Sequence, residues 1–243
     1  MFLLPMAETR YFDLSGLPQC GNRLMPGRDR TPHLVSGAFM AALALAALTF
    51  AVYGTGREGT DQALRTTARF SFLLFWLAYA GGLFRRFPVP FLAAFAGLRR
   101  EFGLGFASAH SVHVFLILWR YYIGSPASMD VLVVDGTGII WMYVLVVFSI
   151  DRLRRALTPF ALRIVFNFGL EYIAYVFLSD FLLSALTRGR AASLAYLPFT
   201  ILLLGAATAR WSMGAVWLMK QMASVRSPQP NARIAGRLPP AIH

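Results

Sequence analysis

Five residues of this chain have side chains that could do chemistry from inside long apolar stretches. They are His110 and His113 in one stretch, and Asn167, Glu171 and Asp180 in another. Polar groups at bilayer depth are costly, so each marks a candidate site for protons, a ligand or a cofactor. The two stretches start near Phe102 and Phe160, and His113 and Glu171 each lie eleven residues beyond those starts. As third and fifth spans they run in the same direction, so at about 1.5 Å per residue the two side chains reach nearly equal depth, close to the bilayer middle. His110 and Asn167 fall in a neighbouring layer by the same count, and Asn167 and Glu171, spaced i,i+4, share a helix face. The expected site is a His113–Glu171 pair serving protons, a ligand or a cofactor. The plainer alternative is an interhelical hydrogen bond that only fixes packing, typically worth about 1 kcal/mol or less. His110 reads as a satisfied packing residue, and Asp180 as a carboxylate near the far end of its helix, within reach of water. Tyr172, Tyr175 and Ser179 lie nearby in sequence.

The elements that must hold these groups follow from composition. Of 243 residues, 57% are hydrophobic and only 14% charged, yet the formal charge is +12. Soluble domains carry about a quarter charged residues, so an ordinary water-facing surface is excluded. Disorder is excluded by the hydrophobicity, and a disulfide scaffold or metal finger by the single Cys20. A nucleic-acid binder would spread its basic residues over a polar surface, whereas here they cluster between apolar runs. A membrane-crossing helix needs about 20 apolar residues. Six segments approach or reach that length: His33–Tyr53, Ala68–Phe84, Phe102–Tyr122, Gly136–Ile150, Phe160–Leu186 and Ala191–Met219. The second and fourth are short and need flanking residues. The sixth is long and broken by Arg210, so its inner end is expected to lie along the membrane or leave it. The runs lack the period-2 alternation of barrel strands. The fold class is therefore an all-α polytopic bundle of six transmembrane helices. Residues 1–32 form an N-terminal arm, 33–219 the bundle and 220–243 a Pro-containing flexible tail.

The basic residues orient this bundle. Sixteen lie in the N-terminal arm, the second and fourth loops and the C-terminal segment, against five in the alternating loops. Arg85, Arg86, Arg99, Arg100, Arg152, Arg154 and Arg155 make up most of the two loop clusters. By the positive-inside rule both termini are cytoplasmic, and the expected location is a bacterial inner (plasma) membrane. The arginine clusters set topology and meet anionic lipid heads. Met1–Met6 lacks the preceding basic region of a signal peptide. No internal repeat is visible, so the inverted-repeat mark of many transporters is missing.

Several of these residues carry a family resemblance. Arg65, Thr66, Thr67, Ala68 and Arg69, followed by an apolar helix ending at Gly81 and Gly82, resemble the second-helix entry of ferric reductase-like transmembrane domains. Arg99, Arg100, Gly103 and Leu104, with His113 on the ensuing helix, look like that family's run before its first haem histidine. Ser149 and the cluster Arg152–Arg155 resemble its loop into the second histidine helix, and the likeness covers about residues 33–219. The resemblance implies a six-helix core that holds b-type haem and moves electrons across a membrane. Its carried-over haem contact is His113 alone. The matching positions on the fifth span are Asn167 and Asp180, and neither an amide nor a carboxylate is a usual axial ligand of haem iron. The resemblance therefore points to a divergent, haem-deficient member, the alternative being haem b held by His113 with an open or unusual sixth position.

Other motifs add little. The pattern Gly54, Gly56, Gly59 matches a dinucleotide-binding fingerprint by letter, but it follows a membrane helix rather than a strand and reads as a flexible turn. Trp119, Tyr121 and Tyr122 beside Arg120 read as an interfacial belt, and Trp76, Tyr79, Trp141 and Tyr143 as packing or belt residues. No metal site is expected. A reductant, if used, must come from another protein or from the lipid phase. Three functions are compatible with these features: an electron-transfer subunit, a non-enzymatic accessory or scaffold subunit of a membrane complex, and a proton-coupled transporter. The expected partners are the lipid bilayer and another membrane or redox protein, with no nucleic acid.

Overall fold

The computed structural model describes residues 30–84, 89–125, 128–187 and 189–226. The arm up to residue 29, Arg85, Arg86, Arg188 and the tail from residue 227 lie outside the described residues. Within them every element is a helix: α1 (Arg30–Tyr53), α2 (Arg57–Phe84), α3 (Pro90–Gly97), α4 (Arg99–Tyr122), α5 (Met129–Phe148), α6 (Asp151–Arg154), α7 (Pro159–Thr187) and α8 (Arg190–Arg226). Six of these, all but α3 and α6, are long and apolar enough to cross a membrane. The chain is thus an all-α, integral-membrane-type bundle. Leu48, Val52, Phe115, Leu118, Ile140, Leu183 and Ile201 stand exposed around it, as lipid contact requires.

Three helices depart from the hydropathy reading, and α5 does so by starting at Met129, seven residues before Gly136. α2 begins eleven residues before Ala68, because its first three turns hide their polar groups locally. Thr60, Thr66 and Thr67 return their hydroxyls to the carbonyls of Gly56, Gln62 and Ala63, and Gly59, Thr60, Ala63 and Thr67 are buried. α8 is not broken at Arg210. It runs continuously for 37 residues through Pro198 and Arg210. Its apolar span ends at Val216, and the helix simply continues past it. Arg210 stays within the helix because a carboxylate meets it, as described below.

The six long helices close into a ring in the order α1, α2, α8, α7, α5, α4, with α2 and α4 also touching across it. On one side of that contact the seam is built from small side chains. Ala38, Ala42 and Ala46 repeat every fourth residue on α1 and meet Ala63 and Ala109. Lipid tails are as apolar as the helices, so close backbone approach through such residues is what holds the seam. On the other side the centre is aromatic, with Phe72, Phe75, Phe106, Phe177 and Phe181 packed together. Phe72 meets Phe177 and Phe181 edge to face at ring separations of 5.4 and 5.1 Å.

The glycine pattern at the α1–α2 connection has a steric meaning. Gly54 closes α1 in the left-handed region at φ 76°, its N–H donating to the Phe50 carbonyl at 2.8 Å. A Cβ on Gly59 would stand 1.7 Å from the Gly54 carbonyl oxygen. The connection is a close-packed reversal between two membrane helices.

Candidate functional site

The sequence-selected residues separate into two polar centres at different depths. The first lies between α4, α5 and α7. His113 Nδ1 is 3.0 Å from the Thr67 hydroxyl. That hydroxyl donates to the Ala63 carbonyl at 2.8 Å, so it accepts from His113 and leaves the imidazole Nε2 as an acceptor. His110, one turn away, stacks against His113 with ring centroids 5.0 Å apart and planes 25° apart. Both imidazoles line a cavity of about 50 Å³ together with Asp135, Asp180, Met142 and Phe177. His110 Nδ1 is buried with no hydrogen-bond partner among the described residues.

The second centre is built around Glu171. Its Oε2 accepts from the Tyr79 hydroxyl at 2.8 Å and from Trp211 Nε1 at 3.4 Å. Its Oε1 accepts from Arg210 Nε at 3.2 Å, and Arg210 Nη2 also stands 3.2 Å from it. Arg210 Nη1 donates to the Tyr79 carbonyl at 3.3 Å, while the guanidinium carbon sits 4.4 Å from the centroid of the Tyr79 ring. Arg99 Nε donates to the neighbouring Ala78 carbonyl at 2.8 Å. Two arginines from α4 and α8 therefore clasp one stretch of α2, and Glu171 on α7 neutralises one of them. Charge-assisted bonds of this kind are the stronger ones.

His113 and Glu171 are not partners. Equal residue counts from Phe102 and Phe160 place them level only if α4 and α7 start level, and they do not. Glu171 reaches Tyr79, whose neighbour Ala78 lies beside Gly103 at the start of α4. Gly103 precedes His113 by ten residues, about 15 Å along the helix. His113 instead faces Asp180, nine residues further along α7 than Glu171. Asp180 is exposed, as its place near the helix end suggested. Asn167 is also exposed and does not line the His110 cavity.

Five participants are not among the expected site residues, Thr67 beside His113 being the first. Asp135 lies one residue before the predicted start of the fourth span, yet it is half-buried and lines the cavity. Arg210 interrupts the sixth apolar run in the sequence, and an arginine inside a span signals a carboxylate partner. Tyr79 was assigned to packing, which holds for its buried ring but not for its hydroxyl. Trp211 carried no signal. The basic clusters divide by role: Arg152, Arg154 and Arg155 are exposed around α6, Arg100 donates to the Ser149 carbonyl at 3.0 Å, and Arg99 turns inward. At the other end of the bundle Arg120 pairs with Asp61 at 3.3 Å.

A b-type haem between α4 and α7, as the resemblance implies, does not fit these residues. Small-molecule and cofactor pockets occupy about 300 Å³ or more. The space beside His113 is about 50 Å³, and Phe106 and Phe177 close around it. The facing residue Asp180 is not a usual iron ligand. No family model, curated protein or solved structure matches the chain.

Proposed function

We propose that this chain is a haem-free derivative of the ferric reductase-like bundle that serves a membrane complex as a non-enzymatic accessory or scaffold subunit. One observation supports this reading above others. Where the resemblance expects a haem between the third and fifth spans, α2, α4 and α7 contribute Phe72, Phe75, Phe106, Phe177 and Phe181 to a tightly packed aromatic centre. Edge-to-face rings at this spacing favour a rigid helix assembly, which suits a scaffold. The Arg210–Glu171–Tyr79 network ties α8, α7 and α2 together in the same rigid manner.

Purification in mild detergent tests the proposal. The expected result is a protein without visible absorbance in oxidised or reduced form that elutes with a second membrane protein in fixed ratio. A stoichiometric b-type spectrum would overturn it and restore electron transfer.

A further inference from the structure

The cavity between α4, α5 and α7 differs from the rest of the interior in its chemistry. The aromatic centre beside it is apolar, whereas this space is bounded by two imidazoles and two carboxylates. Neither Lys nor Arg lines it. His113 presents an acceptor nitrogen once Nδ1 is committed to Thr67. Buried polar atoms are almost always satisfied, by protein or by ordered water, and His110 Nδ1 is an exception among the described residues. An enclosed space holds water when it exceeds about 10–15 Å³ and offers two to four polar partners. Here the volume is about 50 Å³ and four polar side chains bound it. Size excludes anything much larger than one or two non-hydrogen atoms, and the acceptor-rich wall selects a hydrogen-bond donor.

Access is one-sided. Asp180 is exposed and lies seven residues before the end of α7, and Asp135 lies six residues after the start of α5. Both therefore point to the end of the bundle where α4 connects to α5 and α7 to α8. Toward the opposite end, Phe106, Phe177 and Phe75 interlock at ring separations between 5.3 and 6.0 Å and separate the cavity from Glu171.

We infer that this cavity is a binding site for a small hydrogen-bond donor of the size of water or ammonium, entered past Asp180 from the α4–α5 end and closed by phenylalanines from the other. The inference is independent of the scaffold reading.

Hydroxyl-radical footprinting of the full chain in lipid nanodiscs, in ¹⁸O-water with sodium chloride, provides the test. Phe177 lines the cavity and Phe181 does not, although both are buried, so the pair is internally controlled. The expected result is ¹⁸O incorporation at Phe177 several-fold above that at Phe181. Asp135→Leu removes the excess and Asp135→Asn, which keeps a polar wall, retains it. Replacing sodium chloride with ammonium chloride separates the occupants: lower labelling with a higher melting temperature identifies ammonium, and unchanged labelling identifies water. Equal labelling of the two phenylalanines in sodium chloride, or an excess that survives Asp135→Leu, overturns the inference.

Discussion

At the scale of single residues, Glu171 and Arg210 illustrate how an ion pair keeps a charged side chain inside a membrane helix. Breaking a buried pair by removing one partner typically costs about 3–5 kcal/mol, because the remaining charge is left uncompensated. The Glu171 side chain is 31% exposed and that of Arg210 18%, so the cost here should be lower, at about 2 kcal/mol. Arg210→Met is expected to lower the thermal unfolding midpoint in detergent by several degrees. Adding Glu171→Leu should recover most of the loss, since the orphaned carboxylate disappears with its partner. A double variant no more stable than Arg210→Met would show that the arginine acts through its backbone bond to Tyr79 instead. The sequence marks Glu171, His110, His113 and Asp180 as polar groups inside apolar runs. It could not say which of them meet, because pairing depends on how far neighbouring helices are shifted along their axes. That shift is set by loop geometry and by side chains such as Tyr79, whose hydroxyl reaches across from α2 to Glu171. A hydropathy run contains no such information. The same limit hides Asp135, which stands just before the apolar run from Gly136 although α5 already begins at Met129.

At the scale of elements, the six spans were legible because each is a long apolar run bounded by charge, and length in lipid leaves few alternatives. The extra turns of α2 were not legible from hydropathy. Its first half reads as polar, and becomes compatible with a bundle only through threonines that bond back to their own helix and small residues that face α1 and α4. The short helix α3 was likewise unmarked, although Pro90 at its first turn is a typical start. The α1–α2 reversal gives a direct test of this part of the fold. A methyl group added at Gly56 would have no atom within 4 Å, whereas one added at Gly59 would stand 1.7 Å from a backbone oxygen. Gly59→Ala must displace backbone rather than a flexible side chain, which costs on the order of 3 kcal/mol by the usual scale of overpacking. Gly56→Ala should be nearly silent. Comparing folded yields and melting temperatures of the two variants checks the reversal, and equal behaviour would mean that α2 starts later than Arg57.

For the whole molecule, the ring of helices and the charge distribution make a joint statement about orientation. The starts of α1, α4 and α7 and the ends of α2, α5 and α8 share one end of the bundle. The positive-inside reading of the sequence assigns sixteen basic residues to that side, and among the described residues this end carries the exposed Arg152, Arg154 and Arg155 around α6. Against these the sequence sets five, and among the described residues Arg57 and Arg65 lie on the first turns of α2, Arg190 starts α8, and Arg120 near the end of α4 is engaged with Asp61. Orientation depends on lysines and arginines in short loops near span ends, and their bias acts cumulatively. It should therefore survive partial loss of one cluster. Changing Arg152, Arg154 and Arg155 to Gln leaves thirteen against five and should not invert the protein. A dual reporter of alkaline phosphatase and green fluorescent protein at residue 155 is expected to be fluorescent and inactive as a phosphatase, with the reverse at residue 124. The same pattern should hold in the triple variant. Phosphatase activity at residue 155 in the unaltered chain would place the arginine-rich end outside. It would also turn the entrance past Asp180 toward the cytoplasm, since α7 carries that residue to the end opposite its own start.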